Sequence, residues 1–78
     1  MENVVLPELG DGIEKAKVAC WHTTVGHQVA KDDDIVELVT DKAAFNVSAG
    51  TPGIIREICI GEDQEAKIGE VLAIIEPL

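Results

Sequence analysis

Shifted by 37 residues, this sequence falls onto itself: Val18 meets Ile55, Trp21 meets Ile58, Val29 meets Ala66, Ile35 meets Leu72 and Leu38 meets Ile75. Gly12 and Gly53 join the series once four residues are allowed as an insertion between Gly12 and Val18. A motif used twice within 78 residues is too short in each copy to cover its own apolar face, so the copies must pack on each other. The repeat predicts a pseudo-twofold structure of two similar layers.

Each copy is made of short aliphatic runs. Residues 4–6, 15–24, 35–40, 44–47, 54–60 and 71–76 are rich in Val, Ile, Leu and Thr and are separated by Gly, Pro, Asp and Asn, the pattern of strands and tight turns. Helical spacing of apolar residues shows only faintly across residues 30–39, where Asp32-Asp33-Asp34 interrupts it. The expected fold class is therefore all-β: a flattened β-barrel or sandwich of two short antiparallel sheets with pseudo-twofold symmetry, a barrel-sandwich hybrid. Trp21 and Phe45 are the only aromatic residues, so the core has to be built from Val, Ile, Leu and Ala.

Size and charge narrow the function. Residues 1–78 read as one domain, and a domain of this size buries only about 60% of the surface its unfolded chain exposes, which leaves little to support a deep catalytic cleft. No Ser/His/Asp, Cys/His or phosphate-loop pattern is present, so a carrier or binding module is expected rather than an enzyme. The net charge of −9 is spread evenly, with eight acids against three bases in residues 1–39 and seven against three in residues 40–78. Nucleic acids and anionic membranes both select clustered Lys and Arg, so neither is an expected partner. Cys20 and Cys59 belong to no paired motif, which points to a reducing compartment. The apolar run before Pro7 is too short for a secretory signal, and none is long enough to span a membrane.

Between the two copies, residues 35–40 run into Asp41-Lys42-Ala43 and then into residues 44–47, which reads as a hairpin with a lysine at its tip. Asp suits the start of such a turn because its carboxylate can accept a backbone N–H. Val39-Thr40-Asp41-Lys42-Ala43-Ala44-Phe45, the preceding Gly26-x-x-Val29 and Asp33-x-Ile35, and the opening Val5-Leu6-Pro7-Glu8-Leu9-Gly10-Asp11-Gly12-Ile13 together resemble the lipoyl domains of 2-oxoacid dehydrogenase acyltransferases. The Trp21 strand and the closing Gly53-Ile54-Ile55-Arg56-Glu57-Ile58 and Gly69-Glu70-Val71-Leu72 segments extend the resemblance over essentially the whole chain.

The resemblance implies that Lys42 carries lipoate through an amide, which removes the lysine charge and mounts a dithiolane on a flexible arm. It implies a swinging-arm carrier, without catalysis of its own, that is reductively acylated by a thiamine-dependent 2-oxoacid decarboxylase. The acyl group passes to coenzyme A at an acyltransferase core, and dihydrolipoamide dehydrogenase reoxidises the arm. A lipoate ligase or lipoyl transferase would load Lys42 after inspecting the turn shaped by Asp41 and Ala43. By the same resemblance the loop over residues 9–14 lies beside the lysine hairpin, which makes Asp11 and Glu14 candidate partner-recognition residues. A monomeric domain cut from a larger acyltransferase is implied, with Glu76-Pro77-Leu78 as the start of a linker. The expected location is bacterial or archaeal cytoplasm or the mitochondrial matrix.

Two rivals remain at this level. Biotin carriers share the architecture, but their lysine normally sits between methionines, and here Asp41 and Ala43 take those places. An unmodified interaction module of similar shape predicts no mass change at Lys42. Three positions depart from the family pattern: Val39 and Asn46 stand where acids are usual, and Asp63-Gln64 replaces a Gly-Asp turn, with Gly61 two residues early. A metal site from Cys20, His22, His27 and Cys59 is not expected, because His27 lies beyond a turn and Cys59 belongs to the other copy. The cysteines are expected in the core with the histidines in solvent, and Trp21 is expected to serve packing.

Overall fold

The computed structural model describes residues 1–78 and contains strands and turns only. In chain order they are β1 (Glu2–Val5), β2 (Lys15–Trp21), β3 (Gln28–Val29), β4 (Asp34–Val39), β5 (Ala44–Ser48), β6 (Gly53–Ile58), β7 (Glu65–Lys67) and β8 (Val71–Pro77). They form two four-stranded antiparallel sheets, ordered β1-β8-β6-β3 and β5-β4-β2-β7. The sheets face each other as a sandwich and do not close into a barrel, which corrects the barrel half of the expected description. No helix is long and apolar enough to cross a membrane.

Strand order alone reproduces the repeat: β1, β8, β6 and β3 of one sheet stand where β5, β4, β2 and β7 stand in the other. The match reaches the irregularities. Val18 pairs Leu38 and Cys20 pairs Glu37, leaving Ala19 as a bulge; 37 residues on, Ile55 pairs Ile75 and Glu57 pairs Ile74, leaving Arg56 as the same bulge. The turns repeat as well, since Ala30 N donates to Asp33 Oδ2 (2.8 Å) and Lys67 N donates to Glu70 Oε1 (2.9 Å). A bulge or turn that recurs at one spacing in both halves is a designed feature of the fold.

Two of the eight strands, β3 and β7, lie outside the runs read from the sequence. They are two and three residues long, and each contributes one buried side chain, Val29 or Ala66, too little pattern for periodicity to register. Strand β2 ends at Trp21 and β6 at Ile58, earlier than their apolar composition suggests, although His22 N and Cys59 N still bond Ile35 O and Leu72 O of the neighbouring strands.

Both inner faces meet in one aliphatic core. Leu6, Val18, Ile35, Leu38, Ile55, Leu72 and Ile75 are fully buried, and each such side chain contributes about 1.5–3 kcal/mol on leaving water. Trp21 packs at the margin with its indole N–H donating to Ile60 O (2.8 Å), the packing role expected of it. Cys20 and Cys59 are absent from the core: each is half-buried on an outer face, against expectation. The bulges are the cause. Along β2 the even-numbered Ala16 and Val18 point inward, and the extra residue Ala19 flips the alternation so that Cys20 points out and Trp21 in.

The position paired with Gly53 in the repeat is Ala16, not Gly12. Ala16 faces Ala66 in β7 as Gly53 faces Val29 in β3. Gly12 instead sits in a loop turn at φ +81°.

Candidate functional site

Strands β4 and β5 are joined by a tight hairpin. Val39 pairs Ala44, Thr40 N donates to Ala43 O (2.9 Å), and Asp41 and Lys42 alone form the tip. Two-residue hairpin tips ordinarily take primed turns with positive φ, and here both tip residues keep negative φ. The Thr40 hydroxyl compensates: its Oγ1 accepts from Lys42 N and Ala43 N and donates to Ala43 O, each at 3.2 Å. The Asp41 carboxylate, expected to accept a backbone N–H in this turn, makes no such bond. A Thr at the head of a tight turn is itself a recognisable turn former and was the available signal.

Asp41, Lys42 and Ala43 are all exposed. Lys15 pairs with Glu65 (3.5 Å) and Lys17 with Asp63 (3.9 Å), while the Lys42 ammonium takes part in no ion pair and no hydrogen bond. The backbone at Lys42 is therefore held by the turn while its side chain is free. That combination is what an attachment point for a long arm requires, and nothing in the fold competes for the amine.

Beside the hairpin runs an open groove between Gly12 to Lys17 on one side and Val39 to Asp41 on the other. Glu14 and Asp41 both line it, and neither has a cationic partner. Asp11 sits in the adjacent turn, which is closed by Ile13 N bonding Gly10 O (3.3 Å), and does not line the groove. The loop is anchored at both ends: Leu9 packs on the core, and Glu14 O accepts from Ile68 N (3.1 Å). The juxtaposition of this loop with the lysine hairpin agrees with what the resemblance implied.

The same architecture occurs in known proteins. A family model described as "Biotin-requiring enzyme" matches residues 2–75. The dihydrolipoyllysine-residue succinyltransferase component of the 2-oxoglutarate dehydrogenase complex of Buchnera aphidicola is 34% identical over 70 residues, covering 90% of this chain and 18% of that protein. The dihydrolipoyllysine-residue acetyltransferase component of the pyruvate dehydrogenase complex of Corynebacterium glutamicum is 34% identical over 94% of this chain and 11% of its own length. The lipoamide acyltransferase component of the branched-chain alpha-keto acid dehydrogenase complex of Bacillus subtilis is 32% identical over 97% of this chain and 18% of its own. The solution structure of the lipoyl domain of the Azotobacter vinelandii 2-oxoglutarate dehydrogenase complex superposes with a TM-score of 0.78 at 32% identity, covering 97% of this chain and 96% of that one.

The chain belongs to the biotinyl/lipoyl-attachment family. Within it, the chain is a domain of the lipoyl type, similar to those borne by acyltransferase components of 2-oxoacid dehydrogenase complexes. It spans less than a fifth of the length of those acyltransferases.

Proposed function

We infer that Lys42 is the lipoyl attachment residue and that the chain works as a non-catalytic swinging-arm carrier within an acyltransferase of a 2-oxoacid dehydrogenase complex. The observation that carries this reading is the Lys42 hairpin: a backbone clamped by Thr40, a side chain with no partner, and a position at the tip of a rigid sandwich. An amide at that nitrogen strands no buried charge and disrupts no ion pair, so the site fits the group. Lipoate on Lys42 supplies a dithiolane that accepts an acyl group as it is reduced.

The chain's own residues position and identify the arm. Thr40 fixes the turn, and Asp41 and Ala43 give it the flanks that a lipoate ligase or lipoyl transferase inspects. Glu14 and Asp41, unpaired in the groove, and Asp11 in the neighbouring turn offer carboxylates to a basic partner surface. The partners are a thiamine-dependent decarboxylase, the acyltransferase core and dihydrolipoamide dehydrogenase. Tethering keeps the acyl group at high local concentration among them. The reducing interior of a bacterial or archaeal cell or the mitochondrial matrix suits this chemistry.

The three relatives serve three different 2-oxoacids, so the test must offer a choice. Lipoylated chain is presented to purified pyruvate, 2-oxoglutarate and branched-chain decarboxylases, each with its labelled 2-oxoacid. The expected result is label transfer with one of them, absent in Lys42→Arg. A lipoylated chain that none of the three acylates would overturn the carrier role. Val39→Glu, which restores an acid at the foot of the hairpin, should alter this acylation more than it alters lipoylation.

A further inference from the structure

A second group of side chains converges away from Lys42, on the outer face of the β5-β4-β2-β7 sheet. Cys20 of β2 stands across from Glu37 of β4, and Glu37 across from Asn46 of β5. His22 follows two residues after Cys20. One ligand atom each from Cys20, His22 and Glu37 lies within 4.8 Å of the others. Cys20 is there because the Ala19 bulge turns it outward; on an unbroken strand it would enter the core with Val18.

The histidine is already oriented. His22 Nε2 lies 3.1 Å from Asn46 Oδ1; in the tautomer that carries its proton on Nε2 the ring donates to that oxygen, and Nδ1 then holds the free lone pair. A metal-binding histidine characteristically donates its other N–H to an oxygen in this way, fixing ring and tautomer.

We propose that Cys20, His22 and Glu37 form a binding site for a divalent cation of the zinc class, with Asn46 as the orienting partner of His22 and water completing a tetrahedral shell. The mixed sulfur, nitrogen and oxygen set favours zinc over calcium or magnesium, which take oxygen ligands. Bonds of about 2.0–2.3 Å place tetrahedral ligands roughly 3.5 Å apart, so the three side chains draw in by about an ångström. None of the three is fully buried. On binding, the Cys20 thiol releases its proton to solvent and the hydrated cation sheds all but one of its waters as sulfur, nitrogen and carboxylate oxygen take their places, so affinity rises with pH. The ion would bridge β2 and β4, the central pair of this sheet.

The other sheet provides an internal control. At the positions of Cys20, His22 and Glu37 it carries Glu57, Cys59 and Ile74. Cys59 Sγ lies 3.6 Å from Glu57 Oε2, but Ile74 offers no third ligand. Cys59 is thus a thiol in the same local setting without a site.

The test is a cobalt(II) titration, followed by thiolate-to-metal charge-transfer absorption, on the Lys42→Arg, Cys59→Ser chain. Cys20 is then the only thiol and no arm can be attached. Absorption saturating at one equivalent is expected, with competition by zinc and a zinc-dependent rise in Tm. Asn46→Ala should weaken binding about tenfold or more. His22→Ala and Glu37→Gln should weaken it further, each variant being checked for native circular dichroism. No charge-transfer band at excess cobalt, or an affinity unchanged by His22→Ala and Glu37→Gln, overturns the site.

Discussion

In the second half of the molecule Ala49 reaches Gly53 in four positions; in the first, Leu6 takes ten to reach Ala16, the same place in the fold. The strands, bulges and turns on either side of these connections repeat. All the additional chain lies in one loop, and that loop borders the groove beside Lys42. The opposite end holds the short Gly50 connection, whose Gly50 N bonds Lys31 O, and the final residue, whose Leu78 N bonds Pro52 O. Packing constrains both halves alike, because each must cover the other's apolar face. Loop length at an exposed end is unconstrained by packing and is where recognition can be added.

The sharpest way to break this equivalence is at Gly53 and Ala16. A Cβ on Gly53 would collide with Glu76 O and Ile75 Cγ2, whereas Ala16 holds its methyl in the core without conflict. Gly53→Ala should cost about 3 kcal/mol, lowering Tm by roughly 15 °C, while Ala16→Gly should cost only about 1 kcal/mol. Equal losses in thermal melts would show that the two positions are interchangeable and the repeat closer than the geometry indicates.

Next in size is the hairpin found in one half only. Thr40→Ala removes the acceptor of two turn amides and should cost about 1 kcal/mol. Lys42→Ala, at the same tip, should change stability by less than about 0.5 kcal/mol. Melts in which Lys42→Ala matters more would contradict a free lysine side chain.

A smaller effect separates the paired turns at Gly26 and Asp63. Both sites have positive φ, +91° and +69°, and both amides bond equivalent carbonyls, Ile55 O and Val18 O. Asp63→Gly should therefore stabilise the chain by about 0.5 kcal/mol, the lost Lys17 contact being exposed and weak. A destabilised variant would mean that Asp63 does more than occupy a turn.

The smallest effect belongs to Arg56 and Glu76, a pair in one sheet alone. The hydrogen bond from Arg56, and then its charge, hold the Glu76 carboxyl below the ordinary carboxylate range. A depressed carboxyl stabilises the fold above its unfolded pKa and loses that contribution as pH falls through the folded value. Arg56→Gln should slightly lower Tm at neutral pH and leave it unchanged in acid, with salt reducing the difference.

The parts of this fold that were legible in the sequence are those with pattern. Leu38 and Ile75, or Val18 and Ile55, announce the repeat because burial demands aliphatic residues at matching places. The Lys42 hairpin was legible from its flanks. What escaped has no pattern of its own: β3 and β7 bury one residue each, and the bulge at Ala19 inverts the side-chain alternation, so that a cysteine assigned to the core faces outward. The clamp at Thr40 leaves no periodic trace, and its one signal in the sequence is the residue type, a turn-forming hydroxyl at the head of the hairpin. The Cys20, His22 and Glu37 cluster joins residues of two strands, and only their register brings the third member in.

The central claim is the attachment of lipoate at Lys42, and it is tested most directly by intact-mass and peptide mass spectrometry after co-expression with a lipoate ligase and lipoate, in parallel with a biotin ligase and biotin. The account predicts one lipoyl increment confined to the peptide containing Lys42, absent in Lys42→Arg, and no biotin increment. A biotin increment at Lys42, or no increment in either arm, would contradict it.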